Sequence, residues 1–177
     1  GSLRVVDGDV FEETNLNRQL LSQVPLLGTS KAKAAAAHIV RVNPDAQVDA
    51  VADFLTEENV NALVADCDAV LDALDNIPSR RILAAACERA GIPYLYGGIQ
   101  GWIAQAAISM PGAGLIGKLF PEGTVIRDKS VLSFTPALCA AIQASLCVKL
   151  LVGRPVQTGT VLYFDLLNQE FEVIPMI

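Results

Sequence analysis

Four charged side chains, Asp7, Arg18, Lys31 and Asp75, have the types and surroundings needed to handle a phosphate ester. Asp7 closes the short apolar run Leu3-Arg4-Val5-Val6. A carboxylate at a strand end can accept hydrogen bonds from ribose hydroxyls, and before Gly8 it suits a turn equally well. Asp9, two residues on, serves a nucleotide or the same turn. Arg18 offers a fork of donors matched to phosphate oxygens. Lys31 follows Gly28-Thr29-Ser30 at a helix start, where its ammonium and the free backbone N–H groups favour an anion. For both cations the plain alternative is a solvated surface charge. Asp75 follows the apolar run Ala69-Val70-Leu71, at a strand's carboxyl end. There it can hold Mg²⁺ beside phosphates or simply cap the helix that opens near Pro78. Asp72, one turn back, is a secondary assistant to it.

Those positions need an alternating scaffold, and the chain supplies one. Short apolar runs alternate with helical periods, which predicts an α/β fold. After the first strand, Ser30 caps a helix that runs through the alanines to about Val42, and Asn43-Pro44 stops it. Gln47 to Ala52 reads as a strand, and Thr56 caps a helix with Glu57 and Glu58 in its first turn. Ala69 to Leu71 is a buried strand. The next helix has Pro78 in its first turn and Gly91 at its end. Tyr94 to Gly97 and Trp102 to Met110 read as strands. Pro136 to Val152 is an oily helix ended by Gly153, and Val161 to Phe164 with Glu170 to Ile174 resemble an antiparallel hairpin around Asn168. Residues 112 to 134 show no clear period, and an irregular stretch of that length is usually functional or mobile.

Composition removes several classes. The 177 residues carry a net charge of −6 and 52% hydrophobic residues, which suits one domain with a real core. An acidic chain without a basic run is a poor nucleic-acid binder. No apolar run reaches the ~18 residues that a membrane span needs, because Gln143, Ser145 and Lys149 interrupt the oiliest one. Cys67, Cys87, Cys139 and Cys147 form no C-x-x-C pair and read as reduced, mostly buried thiols of a cytoplasmic protein. His38 sits among helix alanines and has no catalytic role.

The string Asp7-Gly8-Asp9-Val10-Phe11-Glu12-Glu13-Thr14-Asn15-Leu16-Asn17-Arg18-Gln19 resembles the signature of the ThiF/MoeB/HesA adenylyltransferases, relatives of ubiquitin-activating enzymes. The resemblance continues in order. Gly28-Thr29-Ser30-Lys31 is similar to the family's G-x-x-K helix start, and Asp72-Ala73-Leu74-Asp75-Asn76 to its D-x-x-D-N. Gly101 to Gln105 with Pro111-Gly112, and Gln143-Ala144 in the late helix, follow the same pattern, so the likeness covers nearly the whole chain.

The resemblance implies a single Rossmann-like adenylating domain over residues 1–177: a mainly parallel sheet flanked by helices, with a C-terminal antiparallel hairpin. It implies ATP-dependent adenylation of the C-terminal glycine of a small ubiquitin-like sulfur-carrier protein, with release of pyrophosphate, as in thiamine or molybdopterin biosynthesis. Two anionic reactants must meet, so the site supplies positive charge and a metal. On this reading Arg18, Lys31 and Asp75 are catalytic. Asp7, Asp9, Asn15, Arg18, Gln19, Lys31, Asp75 and Asn76 bind the nucleotide, with Asn15 as a positioning amide. Asp75 holds Mg²⁺. The resemblance also implies a homodimer, and makes residues 112–134 a crossover loop that guides the partner's tail, with Lys118, Arg127 and Lys129 attracting an acidic protein.

The sequence departs from the family in several places. The opening strand, Gly-rich turn and helix are not in these residues, nor is the arginine that some family dimers lend to the partner's site. Residues 112 to 120 contain no thiol where a zinc-binding C-x-x-C pair would fall, so no structural zinc is expected. The crossover loop lacks a reactive cysteine, and Cys139 reads as a buried thiol rather than a thioester nucleophile. A non-catalytic relative that binds a ubiquitin-like protein is the alternative function.

Overall fold

The computed structural model describes residues 1–126 and 130–176. The chain divides into two compact units, Gly1–Leu63 and Val64–Ile177. The first unit contains β1 (Ser2–Val6), α1 (Lys31–Val42) and β2 (Gln47–Val51). Strands β1 and β2 pair in parallel, Ser2 opposite Gln47 through Val6 opposite Val51, and Arg4 ties them with a 2.8 Å bond to Asp49. A parallel pair needs a long crossover, and α1 supplies it. The Ser30 hydroxyl caps α1 by accepting from the Lys33 N–H, as its sequence predicts. The division between the units falls within α2 (Val60–Val64), whose entry is a reciprocal box: Asn59 N–H donates to the Thr56 hydroxyl, and Thr56 N–H to the Asn59 carboxamide.

The second unit holds β3 (Val70–Leu71), α3 (Ile77–Ala90), β4 (Tyr94–Gln100), β5 (Ile103–Ser109), α4 (Leu115–Leu119), α5 (Phe134–Leu151), β6 (Thr160–Asp165) and β7 (Glu170–Pro175). Its sheet runs β3-β4-β5-β6-β7. The α/β class and the C-terminal hairpin are as expected. The antiparallel part reaches further than the expected mainly parallel sheet: only β3·β4 is parallel here, and β4 to β7 are antiparallel throughout. The reason is local. Only Gly101 and Trp102 separate β4 from β5, and a two-residue connection can join antiparallel strands alone. Asp165 builds the β6–β7 turn by accepting from the N–H groups of Leu167 and Asn168.

Leu95, Ala106, Ile108 and Leu146 form the core of this unit, with Ile142, Leu150 and Leu162 against them. By length and composition α5, at 18 residues and mean hydropathy 1.6, is apolar enough to cross a membrane. Its buried positions argue for a sheet seat instead. Thr135 donates to the Gly101 carbonyl at 2.8 Å, and Gln143 donates to the carbonyls of Asp72 and Leu95 at 2.8 and 3.1 Å. Gly97 permits this approach, because a Cβ there would collide with the Gln143 carboxamide.

The stretch from 112 to 134 is less irregular than its sequence implies. Leu115 and Ile116 are buried on α4, and α3 holds both ends of the segment 112–121. The Glu88 carboxylate accepts from the N–H groups of Gly112 and Gly114, while Arg81 donates to the carbonyls of Phe120 and Pro121. Gly114 and Gly117 hid this short helix, because helical propensity falls at glycine. Of the three cations named for this segment, Lys118 lies in α4, and Arg127 and Lys129 fall outside the described residues.

Candidate functional site

In the first unit the motif 7–19 folds into a knot of turns against the start of α1. The Asp7 carboxylate accepts from the Asp9 N–H at 2.9 Å, so it builds the turn around Gly8. Gly8 is required there: a Cβ would sit 2.6 Å from the Phe54 ring. The chain then pairs back on the Gly28–Lys31 approach. Phe11 N–H donates to Thr29 O, Gly28 N–H to Phe11 O, and Lys31 N–H to Asp9 O. The Lys31 ammonium reaches the Asp9 carboxylate at 3.2 Å. Lys31, 22 residues beyond Asp9, therefore meets Asp7 and Asp9 at one turn.

Asn15 has a structural task. It is buried, and its side-chain oxygen accepts from the Glu12 N–H at 3.0 Å. Its carbonyl accepts from the N–H groups of Arg18 and Gln19 and from the Ser22 hydroxyl. The motif's asparagine thus fixes the loop that presents Arg18 and Gln19. The half-buried Arg18 donates to Thr14 O at 2.6 Å and to Asn17 at 3.0 Å, which orients its guanidinium along the turn.

In the second unit β3 ends at Leu71, and the turn that follows carries Asp75 and Asn76 into α3. Asp75 is exposed, and one of its oxygens accepts from the Asn76 amide at 3.2 Å. Asn76 caps α3, accepting from Ser79 N–H at 2.9 Å. The N-cap role considered for Asp75 therefore belongs to its neighbour, and the Asp75 carboxylate faces solvent. An exposed carboxylate with amide support suits Mg²⁺, which keeps most of its water and takes one or two carboxylates plus substrate phosphates.

Asp72 corrects the expectation. It is 1% exposed, too deep to assist at a solvent-facing metal. Its Oδ2 accepts from Arg80 and from the Tyr94 hydroxyl, and its Oδ1 from the Leu74 N–H at 2.8 Å. Arg80 also donates to Gly97 O at 2.7 Å and to Leu74 O, and its guanidinium lies 5.1 Å from the centre of the Tyr96 ring. Burial pushes the Asp72 carboxyl above its ordinary value, and the adjacent Arg80 charge opposes that. Burial and the Asp72 charge likewise raise the Tyr94 phenol, which stays a donor. Sequence reasoning missed Arg80 and Tyr94. The signal for Arg80 was present: Arg80, Leu83 and Cys87 share one face of α3 at i, i+3 and i+7, so the arginine falls in the buried stripe.

The ThiF family model matches residues 1–177. The chain is 37% identical over 182 residues to the SAMP-activating enzyme E1 of Haloferax volcanii, covering 99% of this chain and 67% of that protein. It is 30% identical to the adenylyltransferase and sulfurtransferase MOCS3 of Arabidopsis thaliana, covering 98% of this chain and 39% of that protein. It thus spans only part of these curated relatives' length. Among solved structures, E. coli MccB with MccA-N7isoASN superposes with a TM-score of 0.84 at 18% identity, covering 99% of this chain and 57% of that one. E. coli MccB with ATP gives 0.78 at 20% identity, covering 99% and 56%. These structures share the fold. With the Asp7–Arg18, Lys31 and Asp75 segments placed in the order described and the whole length matched, the chain belongs to the ThiF family.

Proposed function

We propose that this chain is the adenylating part of an enzyme that activates the C-terminal glycine of a small ubiquitin-like sulfur carrier with MgATP. The observation that carries this is the meeting of Asp7, Asp9 and Lys31 at one turn, with Arg18 presented by the loop between them. A carboxylate for ribose and a cation for phosphate at one turn, with the Arg18 fork on the loop that follows in sequence, fit a nucleotide better than they fit a bare anion. The relative from Haloferax volcanii is named for activating SAMP, and MccB has been solved with ATP.

In this reading the carrier's terminal carboxylate attacks the α-phosphorus of ATP. The bond to the β,γ-pyrophosphate breaks, and the acyl-adenylate remains. Asp7 and Asp9 hold the ribose side, with Asn15 and Gln19 shaping the loop. Arg18 and Lys31 of the first unit offset phosphate charge, Asp75 of the second would hold Mg²⁺, and Asn76 beside it would contact the nucleotide. The reaction takes place in the cytoplasm, between homodimeric copies of the protein and a free carrier. The test is ATP–pyrophosphate exchange by the full-length protein with a ubiquitin-like protein ending in Gly-Gly. Exchange that needs both carrier and Mg²⁺ supports the reading. Tight carrier binding without exchange would instead make this a non-catalytic relative.

A further inference from the structure

Asp75 is exposed, yet the backbone that carries it is held from beneath by buried charge. The peptide joining Leu74 to Asp75 is fixed at its carbonyl by Arg80, and the N–H of Leu74 is fixed by Asp72. Asp72 is itself held by Arg80, by Tyr94, and through its carbonyl by Gln143 of α5. On the other side of Asp75, Asn76 is pinned as the cap of α3, the same helix that carries Arg80. The arginine therefore touches both anchor points of a four-residue turn, Asp72 and Leu74, and rides on the element that begins directly after it.

We infer that Arg80 is a positioning residue for metal binding: from its buried seat on Asp72 it sets the Leu74–Asp75 peptide and so the direction of the Asp75 carboxylate. This rests on the reading of Asp75 as the Mg²⁺ ligand. The buried guanidinium divides its donors among Asp72, Gly97 O and Leu74 O. The bond to Leu74 O falls on the peptide that carries Asp75, and it comes from a different nitrogen than the bond to Asp72, so the rigid plane of the fork fixes the two acceptors relative to one another. A metal ligand on a loop is productive only when its backbone is held within a fraction of an ångström.

Removing the charge outright leaves the Asp72 carboxylate buried and unpaired, which threatens folding. Arg80→Lys is the useful variant, because it keeps a cation for Asp72 and gives up the fork. The full-length protein is assayed for the Mg²⁺ dependence of pyrophosphate exchange and for Mn²⁺ affinity in the presence of ATP, by electron paramagnetic resonance. Arg80→Lys is expected to raise the half-saturating Mg²⁺ concentration and weaken Mn²⁺ binding by about tenfold, a loss in keeping with a small misplacement of one ligand. Rates at saturating metal should recover. In an Asp75→Asn background the same change should shift neither quantity further, because the arginine acts through Asp75. An unchanged metal requirement in Arg80→Lys, or a shift that persists without the Asp75 carboxylate, overturns the inference while leaving the function standing. A wild-type protein that neither exchanges pyrophosphate nor binds Mn²⁺ with ATP overturns the function and the inference together.

Discussion

Lys31 places its ammonium 3.2 Å from the Asp9 carboxylate, while its backbone N–H donates to the Asp9 carbonyl at 3.0 Å. The cation is thereby held on the turn that the motif builds, and under the proposed function an incoming phosphate would compete with Asp9 for it. An ion pair with one exposed partner contributes up to about 1 kcal/mol to stability. Lys31→Ala should therefore change the melting temperature little and cut pyrophosphate exchange by about 100-fold, the cost of one lost donor to developing charge. Arg18→Ala should behave alike, with a loss of about 1 kcal/mol for its bonds to Thr14 and Asn17. Calorimetry and exchange on the same preparations check both.

Gly8→Ala tests the turn itself. A Cβ would press on the Phe54 ring at 2.6 Å and on the Phe54 nitrogen at 2.8 Å. Overpacking of that kind costs about 1–3 kcal/mol. Shortening the ring in Gly8→Ala/Phe54→Ala relieves the side-chain clash and leaves the backbone one, so the double variant should recover only part of the loss. Urea titration of the single and double variants measures it.

Burial pushes the Cys139 thiol up to about 11 and the Cys87 thiol up to about 12. Both should resist iodoacetamide in the native protein at neutral pH. The folded state holds these protons more tightly than the unfolded state, where a thiol titrates near 9. Their contribution to stability is therefore complete below pH 9 and is lost as pH rises through 11 to 12, at up to about 1.4 kcal/mol per pH unit for each thiol. Denaturant titrations between pH 8 and 11 should fall more steeply for the wild type than for Cys139→Ala.

The outward side of α5 and its end carry Phe134, Val148, Leu151 and Val152, all exposed. A homodimer that covers this surface is expected at micromolar concentration by light scattering, and Leu151→Glu should shift it towards monomer, since a buried charge without a partner opposes association.

Segment 112–121 is tied to α3 by Glu88 and Arg81, and Gly101 N–H donates to Ser130 O at 2.9 Å where the chain returns. Between them 122–126 is exposed. If this region orders over a Gly-Gly tail, hydrogen exchange at 122–126 should slow when a ubiquitin-like carrier and MgATP are added, while 112–121 stays protected in both states. Equal exchange at 122–126 despite demonstrated carrier binding would remove the guiding role.

The elements and the nucleotide motif were legible in the sequence because they are local. Ser30 before a lysine- and alanine-rich run, Pro78 and Gly91 around α3, and Asn168 in the last hairpin each act on backbone within a few residues. The motif from Asp7 to Gln19 named the family for the same reason. Tertiary structure decided what these residues do with their free valences. Asn15, expected as a nucleotide-positioning amide, uses its side-chain oxygen to fix its own loop, and Asp72, which looked like a helper of Asp75, is buried beneath it. The partner that explains Asp72 includes Tyr94, 22 residues on, and Gln143 reaches it from 71 residues away. Such pairings follow from how strands and helices stack. A carboxylate at a strand end carries no local mark that says whether it will face solvent and a metal or the core and an arginine.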